Sequence, residues 1–391
     1  SDKITNFDLP VDAYATFDAE SLKSLIIQRL TKQNIFTDQV YEGSNMSSII
    51  DIIAYSYHTL LYYLNQTSSQ SMFTEATIYE NVTRIVKLLN YKPIGYQSST
   101  LTFKCDASNV LVPGTYTIPR YTYINSGGVI YSTTQDISFT KTLSSAETIS
   151  TVGDNNLMYQ GEWVEYPQEF AAGEEFETIV LTPPLAVMVD HFNLHIYVKD
   201  RDTGKYTEYT ETTSLFTQGP TDDVFEKTYN EKEYYEIKFG NGVTGSRLKP
   251  GDEICVYYLM IGGPGSMVAA GFLDGEPLAL YGTNKWNVIK TDIKSENIEY
   301  LNFDSIDTLG FTNTDDSTMP MSRETVSDIK EKAPLYFTSQ NRLVTSNDFE
   351  TFVKRNYGNI VNSVKVVDND TYIDTHLRYL HDTIGITNPN L

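Results

Sequence analysis

The first 95 residues carry their apolar side chains at the spacing of α-helices. A first amphipathic helix is indicated by the apolar stripe Leu22, Leu25, Ile26 and Leu30. A second helix is expected to begin after Ser44, a residue that can cap a helix N-terminus. Its apolar positions alternate in steps of four and three, as in a coiled coil, and we call them the helical seam: Met46, Ile50, Ile53, Tyr57, Leu60 and Leu64. A third helix is predicted at 71–90, ending before Pro93.

The helical seam is a candidate protein–protein interface. Ile49, Ile52 and Leu61 lie off the seam, so the helix has more apolar surface than one partner helix covers. One interpretation is an intramolecular hairpin with the helix at 71–90, and the other is a bundle shared with other chains. The two are compatible if one face packs inside the chain and the other meets a partner.

From about residue 96 the pattern changes to short alternating runs that are typical of β-strands. Pro113-Gly114 and Gly127-Gly128 mark turns between them. The clearest predicted strands are LTFKCD, YTIPRYTYI, VIYSTTQDISF, TIVLTP, FNLHIYVKD, YYEIKFG and EICVYYLM. The stretch from 150 to 270 therefore predicts a β domain of sandwich or barrel type.

The last part of the chain returns to a mixed pattern, with helices predicted at 325–333, 347–355 and 376–384 and a strand at 362–367. The sequence thus predicts an α+β multidomain fold, with an N-terminal helical segment, central β-rich domains (sandwich/barrel-like) and a small C-terminal α+β domain. The expected divisions are a helical bundle-forming region at 1–95, a β-rich connector at 96–149, a β-rich domain at 150–270, an irregular linking region at 271–324 and an α+β end domain at 325–391.

The formal net charge of −22 limits the kinds of partner. So acidic a surface repels phosphate, and no nucleic-acid partner is expected. It also repels further copies of the chain, so self-association must be driven by burial of apolar surface or helped by a less acidic partner. No apolar run reaches the ~20 residues of a membrane span, and no membrane insertion is expected. The two cysteines, Cys105 and Cys255, are too few for a disulfide framework.

The sequence FGNGVTG fits the pattern G-x-G-x-x-G through Gly240, Gly242 and Gly245. A dinucleotide site needs a helix directly after this motif, so that the helix N-terminus faces the pyrophosphate. Here Pro250-Gly251 and the predicted strand EICVYYLM follow instead. We therefore interpret the motif as a glycine turn between two strands, and we expect no cofactor.

The residues that could form a metal or catalytic site do not have the spacing that such sites require. His191 and His195 are four residues apart, but they lie in a run that alternates as a strand does. A calcium loop that starts at Asp368 would need Gly at the position of Ile373 and Glu at that of Tyr379. No nucleophile motif occurs, and a glycosidase pair cannot be located among 51 acidic residues. No metal ligand and no catalytic residue is predicted.

Four stretches of the chain share a pattern with one family. They are, in order, YEGSNMSSIIDIIAYSYHTLLYYLNQ with LLNYKP, then YTIPR, then FGNGVTGSRLKPGDEICVYYLMIGGPGSMVAAG, and last KAPLYFTSQNRLVTSNDFETFVKRNYGNIVNSVKVV. The third stretch is the most specific, and the family pattern falls there on Phe239, Gly240, Asn241, Gly242, Gly245, Pro250 and Gly251. Together the stretches resemble the baseplate J-like family, which includes baseplate wedge proteins of T-even-type contractile-tailed bacteriophages.

This resemblance implies a structural subunit of a contractile-tail baseplate, located in the virion after assembly in the host cytoplasm, and not an enzyme. The implied partners are a second copy of the chain, other baseplate wedge proteins and the neighbouring wedges of a sixfold ring. The resemblance also implies that the N-terminal helices join a bundle with another wedge protein, which fits the helical seam. Family members commonly continue past the last stretch, so we expect either a compact variant or an incomplete chain.

Two other functions are considered. The tyrosine-rich β region favours a tail-associated receptor- or glycan-binding protein, although no fibrous repeat is visible. A tail-associated hydrolase that uses two carboxylates has no local motif in its support. The pattern does not separate a phage tail from a related contractile injection system.

Overall fold

The computed structural model describes residues 19–33, 44–106, 114–141, 148–149, 157–294, 300, 309–339, 343, 345–357, 361, 363–383 and 385. The fold is α+β and multidomain, with helices at the N-terminal end, β-sheets in the centre and small helices at the C-terminal end. The chain divides into two compact units between Ile85 and Val86. The five-part division of the sequence stays a prediction.

Three helices are described in the N-terminal part: α1 (Ala19–Gln33), α2 (Asn45–Ser71) and α3 (Tyr79–Lys87). The expected N-cap is confirmed, because the Ser44 side chain accepts a hydrogen bond from the Ser47 amide at 3.0 Å. α1 packs along α2, and the Lys23 ammonium lies 2.6 Å from the Asp51 carboxylate. The third helix is shorter than predicted, because the chain turns through residues 72–78 before α3 begins.

The turn between α2 and α3 is held by the buried side chain of Gln70. Its amide oxygen accepts hydrogen bonds from the backbone amides of Thr77 and Ile78, both at 3.1 Å. Its amide nitrogen donates to the Thr77 hydroxyl at 2.9 Å. One carboxamide therefore satisfies backbone donors at the start of α3 that have no partner within that helix.

Seventeen strands are described in the remainder of the chain. They are β1 (Thr100–Asp106), β2 (Gly114–Ile118), β3 (Tyr123–Ser126), β4 (Val129–Ser132), β5 (Ile137–Lys141), β6 (Thr148–Ile149), β7 (Leu157–Gln160), β8 (Glu162–Glu165), β9 (Glu169–Phe170), β10 (Thr178–Leu181), β11 (Met188–Lys199), β12 (Tyr206–Thr212), β13 (Val224–Tyr229), β14 (Tyr235–Phe239), β15 (Glu253–Ile261), β16 (Leu278–Ala279) and β17 (Gly310–Asn313).

These strands form two large sheets and one pair. The seven-stranded sheet has the order β16-β3-β4-β7-β1-β17, with β6 also paired to β1. The eight-stranded sheet has the order β10-β14-β13-β12-β11-β15-β8, with β9 also paired to β15. β2 pairs with β5. The paired strands are antiparallel except β12 and β13, which run parallel.

Each sheet has its own apolar core. The core of the seven-stranded sheet includes Leu101, Ile124, Met158 and Phe311. The core beside the eight-stranded sheet is aromatic, and the Tyr121 ring lies 4.4 Å from both the Trp163 and the Trp286 ring, centroid to centroid. Trp286 comes from a helix, α4 (Asn284–Ile293).

Gly161 is a point where the chain crosses from the seven-stranded to the eight-stranded sheet. It separates β7, in the seven-stranded sheet, from β8, in the eight-stranded sheet. Its φ of +143° is one that side-chain-bearing residues rarely adopt, and a Cβ atom there would lie 2.5 Å from the carbonyl oxygen of Met260. The crossing therefore requires glycine.

The two edge strands of the eight-stranded sheet, β8 and β10, come close to each other. Tyr166 follows β8. Its hydroxyl lies 3.4 Å from the carbonyl oxygen of Val180 in β10 and 3.0 Å from the hydroxyl of Thr182, which follows β10. The sheet therefore curls toward a barrel, and the Tyr166 side chain connects its two edges.

The C-terminal part contains the helices α5 (Val326–Ser339), α6 (Ser346–Tyr357) and α7 (Asn369–Asp382). The predicted strand at 362–367 is wrong for its described residues 363–367, which pair with no strand. The next helix begins earlier than predicted, because the Asp368 side chain accepts a hydrogen bond from the Thr371 amide at 2.7 Å and caps α7.

The region 271–324 was expected to be irregular, and this is wrong in part. It contains β16, α4 and β17. α4 buries only Trp286 and Ile289, a stripe too short to indicate a helix from the pattern alone. Its N-cap is Thr283, whose side chain accepts a hydrogen bond from the Trp286 amide at 3.1 Å.

The crossing at Gly161 gives a first prediction. Gly161→Ala should lower the free energy of unfolding by about 2–3 kcal/mol, because of the strained φ and the clash with the Met260 carbonyl. The measurement is urea unfolding followed by tryptophan fluorescence. Both tryptophans, Trp163 and Trp286, lie after Val86, so the signal reports the sheet-containing unit.

The matched control is Gly265→Ala. A Cβ atom at Gly265 would meet nothing within 4 Å. This variant should change the free energy of unfolding by less than about 0.5 kcal/mol. Equal unfolding midpoints for the two variants would contradict the role given to Gly161.

Candidate interaction surface

Helix α2 has one buried stripe. Ser47, Ile50 and Ala54 are buried, with Ile50 1% and Ala54 2% exposed. His58 and Leu61 are partly buried and extend the same stripe along the helix. Ser47 and Ala54 are small, which allows a second helix to approach closely, and α1 packs along α2. The interior of the helical unit therefore uses one side of α2.

The other side of α2 carries large apolar side chains that the described chain leaves exposed. Nine of them are 40% or more exposed, and we call them the α2 apolar face: Ile49, Ile52, Ile53, Tyr55, Tyr57, Leu60, Tyr62, Tyr63 and Leu64. The face runs from Ile49 to Leu64, about 23 Å along the helix axis, so it is extended. Contiguous apolar patches of this kind are rare on monomers and are typical of interaction sites.

The predicted helical seam lies at the border between these two sides. Ile50 is buried and Met46 is partly buried. The other four seam residues belong to the exposed side: Ile53, Tyr57, Leu60 and Leu64. The packing stripe was missed because Ser47 and Ala54 are not large apolar residues. The helix packed along α2 is α1, and not the helix within 71–90 that the hairpin interpretation named.

The α2 apolar face is almost free of charge in a strongly acidic chain. Between Met46 and Leu64 the only Asp, Glu, Lys or Arg is Asp51, which is paired with Lys23 at 2.6 Å. Residues 150–270, in contrast, contain 20 Asp and Glu against eight Lys and Arg. Like-charge repulsion between copies is therefore weak at the exposed apolar side of α2.

The glycine motif lies in the turn between β14 and β15. The Phe239 side chain is fully buried at the end of β14. A Cβ atom on Gly240 would lie 2.3 Å from the backbone of Gly245, so the two ends of the turn touch. Gly242 has a φ of +85°, and the Asn241 side chain accepts hydrogen bonds from the amides of residues 243 and 244. No helix follows, so the geometry is that of a turn.

The Pro250-Gly251 end of the motif holds a neighbouring segment. The Gly251 amide donates to the Ala171 carbonyl oxygen at 2.8 Å. A Cβ atom on Gly173 would lie 2.5 Å from the Pro250 ring. The motif residues are thus occupied with contacts inside the chain.

A buried polar cluster joins the segment after β2 to the eight-stranded sheet. The Tyr121 hydroxyl lies 2.7 Å from Nδ1 of His195 and 2.8 Å from the Tyr197 hydroxyl. The Arg120 guanidinium donates to Tyr197 at 3.1 Å and to the Glu208 carboxylate at 2.5 Å. The members hydrogen-bond to one another, which is the arrangement of a structural network.

The charge states in this cluster do not favour proton transfer. Desolvation, together with the positive charges of Arg120 and Lys227, lowers the pKa of His195 to about 3, so the ring is neutral at pH 7. Burial raises the pKa of the phenols of Tyr121 and Tyr197. A general base works best with a pKa near the working pH, and none of these groups has one.

Among the described residues, no group of three or more His, Cys, Asp or Glu side chains is placed to hold a metal ion. His191 and His195 lie on β11, where Nδ1 of His191 accepts a hydrogen bond from the Gly95 amide at 3.1 Å. Within the same described residues, no helix has the length and apolar content to cross a membrane.

Comparison with known proteins finds a distant similarity to a phage baseplate protein. The chain is distantly homologous to the baseplate wedge protein gp6 of Enterobacteria phage T4. It is 23% identical to that protein over 372 residues, which are 90% of this chain and 51% of the relative. The chain thus spans about half the length of this relative. No protein-family profile matches the chain.

Two solved structures are also similar. One is a cryo-EM structure of the anti-feeding prophage baseplate, with a TM-score of 0.26 and 11% identity, covering 95% of this chain and 63% of that chain. The other is the TssK-TssF-TssG baseplate subcomplex of a type VI secretion system, with a TM-score of 0.33 and 9% identity. The match covers 78% of this chain and 81% of that chain. At these TM-scores neither likeness bears on function.

The two sides of α2 give a second prediction. Ile50→Ala should destabilise the packing of α1 on α2 by about 2–4 kcal/mol, because it leaves a cavity in a buried stripe. Ile53→Ala, three residues away and 50% exposed, should cost less than about 0.5 kcal/mol in the isolated chain. Hydrogen exchange of the amides in α1 and α2 measures both effects. Equal protection in the two variants would contradict the assignment of the two sides.

Proposed function

We propose that this protein is a structural subunit of a contractile-tail baseplate, located in the virion, and that it acts by binding other proteins and not by catalysis. The proposal is supported by the distant homology to a baseplate wedge protein. It is also supported by the motif residues and the buried polar cluster, whose contacts described above lie within the chain.

The observation that carries the proposal is the α2 apolar face. Exposing nine large side chains to water along one helix is unfavourable in free energy for the isolated chain. Burial of this surface against a partner would offset that unfavourable free energy. We propose that partner helices cover this face in a bundle, and that the partners are other wedge proteins and a second copy of the chain. Closure of neighbouring wedges into a sixfold ring would then depend on the geometry of such contacts.

The alternative is a receptor- or glycan-binding β protein, and the placement of the tyrosines speaks against it. A glycan site needs exposed aromatic rings, yet many tyrosines of the sheets are buried, among them Tyr121, Tyr131, Tyr197 and Tyr257. They hold the sheets together and present little surface to a ligand.

The third prediction tests the α2 apolar face directly. Leu60→Asp should leave the chain folded, because Leu60 is 60% exposed, and should block its incorporation into baseplates, because a charge would be buried in the bundle. The measurement is complementation with labelled chain, followed by negative-stain imaging of purified tail particles. The label should lie in a sixfold ring for the unaltered chain and be absent from particles for the variant.

The matched control is Leu185→Asp, the same substitution at a fully exposed position in the turn before β11. It should enter particles as the unaltered chain does. Normal incorporation of Leu60→Asp would mean that partners do not cover this part of α2. If the label on the unaltered chain were found outside the baseplate, the proposed function itself would be contradicted.

A further inference from the structure

A buried carboxylate connects the chain just after α3 with the first C-terminal helix. Glu324 is 6% exposed and lies two residues before the start of α5. Its oxygens accept hydrogen bonds from the Tyr91 hydroxyl, both at 2.9 Å, and from the Ile94 amide at 3.0 Å. The Lys332 ammonium lies 2.8 Å from the same carboxylate. One side chain therefore gathers donors from residues 91–94 and from α5.

The same contact is reinforced by backbone and ring packing. The Glu324 amide donates to the Ile94 carbonyl oxygen at 3.0 Å. Tyr336 lies one turn beyond Lys332 on α5, and its ring packs edge-on against the Tyr91 ring with centroids 5.8 Å apart. Ile329 and Ala333 are fully buried on this side of α5. The inner face of α5 thus holds a short apolar stripe beside the carboxylate.

The elements after α5 have a different character. In α7 each side chain whose exposure is described is exposed to solvent. In α6, Phe349, Phe352 and Tyr357 are 38–50% exposed. Among the described residues of the three C-terminal helices, fully buried side chains therefore occur on α5. We take α5 as the helix that attaches this part of the chain to residues 91–95.

We propose that Glu324 is a latch: it holds α5 against residues 91–95, and opening it releases the C-terminal helices without unfolding the sheets. The latch has two states, because a buried carboxylate is stable only with its partners in place. If α5 moves away, Lys332 leaves and water replaces the lost partners. The connection also ties the segment that follows α3 to the C-terminal helices, so a change at one would bias the other.

The test is hydrogen exchange of the full chain, compared between variants. Glu324→Gln keeps the shape of the side chain and removes the ion pair with Lys332. Amides of α5 and of residues 91–97 should exchange at least about tenfold faster, while those of β11 and β15 should be unchanged. Tyr91→Phe, which removes only the hydroxyl, should act on the same amides and in the same direction.

The matched control is Glu331→Gln, at an exposed position of α5, which should leave exchange unchanged. In the double variant Tyr91→Phe with Glu324→Gln, the amides of α5 should exchange at about the rate seen in the more affected single variant. The two effects should not add, because both substitutions remove one shared contact. Unchanged exchange of α5 in Glu324→Gln would overturn the proposal. Equal acceleration in β11 and β15 would also overturn it, since Glu324 would then stabilise the whole unit and not a separable helix.

Discussion

The structure depends on how the apolar circumference of α2 is covered. α1 packs along the stripe of Ser47, Ile50 and Ala54, and the opposite side remains exposed in the described chain. The exposed side is almost uncharged, whereas the β region carries most of the negative charge. Apolar attraction and like-charge repulsion thus fall on different segments of the chain, so association is favoured at the helix and opposed at the acidic strands.

The sheets have the features of a stiff support. Gly161 passes the chain from one sheet to the other without a loop, and the Tyr166 hydroxyl bridges the edges of the eight-stranded sheet. The cluster around Tyr121 and Arg120 adds hydrogen bonds between the segment after β2 and the strands β11 and β12. Such a body can carry load between neighbours with little change of its own shape, which suits a protein whose proposed role is geometric.

Much of the fold could be predicted from local pattern. Ser44 was recognised as an N-cap because its chemistry is local, and the glycine turn after Phe239 because a strand, not a helix, follows it. α4 was missed because two buried residues make too short a stripe. The strand expected at 362–367 was wrong because alternation alone does not supply a partner strand.

The candidate surface was predicted in part. The length and apolar character of α2 are visible in the sequence, and four of the six seam residues lie on the exposed side. Which side α1 would cover was not visible, because that pairing is set by small residues, Ser47 and Ala54, that a search for large apolar side chains passes over. The buried role of Glu324 also lay beyond sequence reasoning, since its partner Tyr91 is 233 residues away.

The carboxamide of Gln70 has a consequence for the direction in which the α2 apolar face points. Its oxygen meets the Thr77 and Ile78 amides at once, so α2 cannot turn about its own axis without losing both contacts. The azimuth of the face relative to α3 is therefore set before any neighbour arrives. An incoming helix meets a surface already oriented, and less rotational entropy remains to be lost on docking.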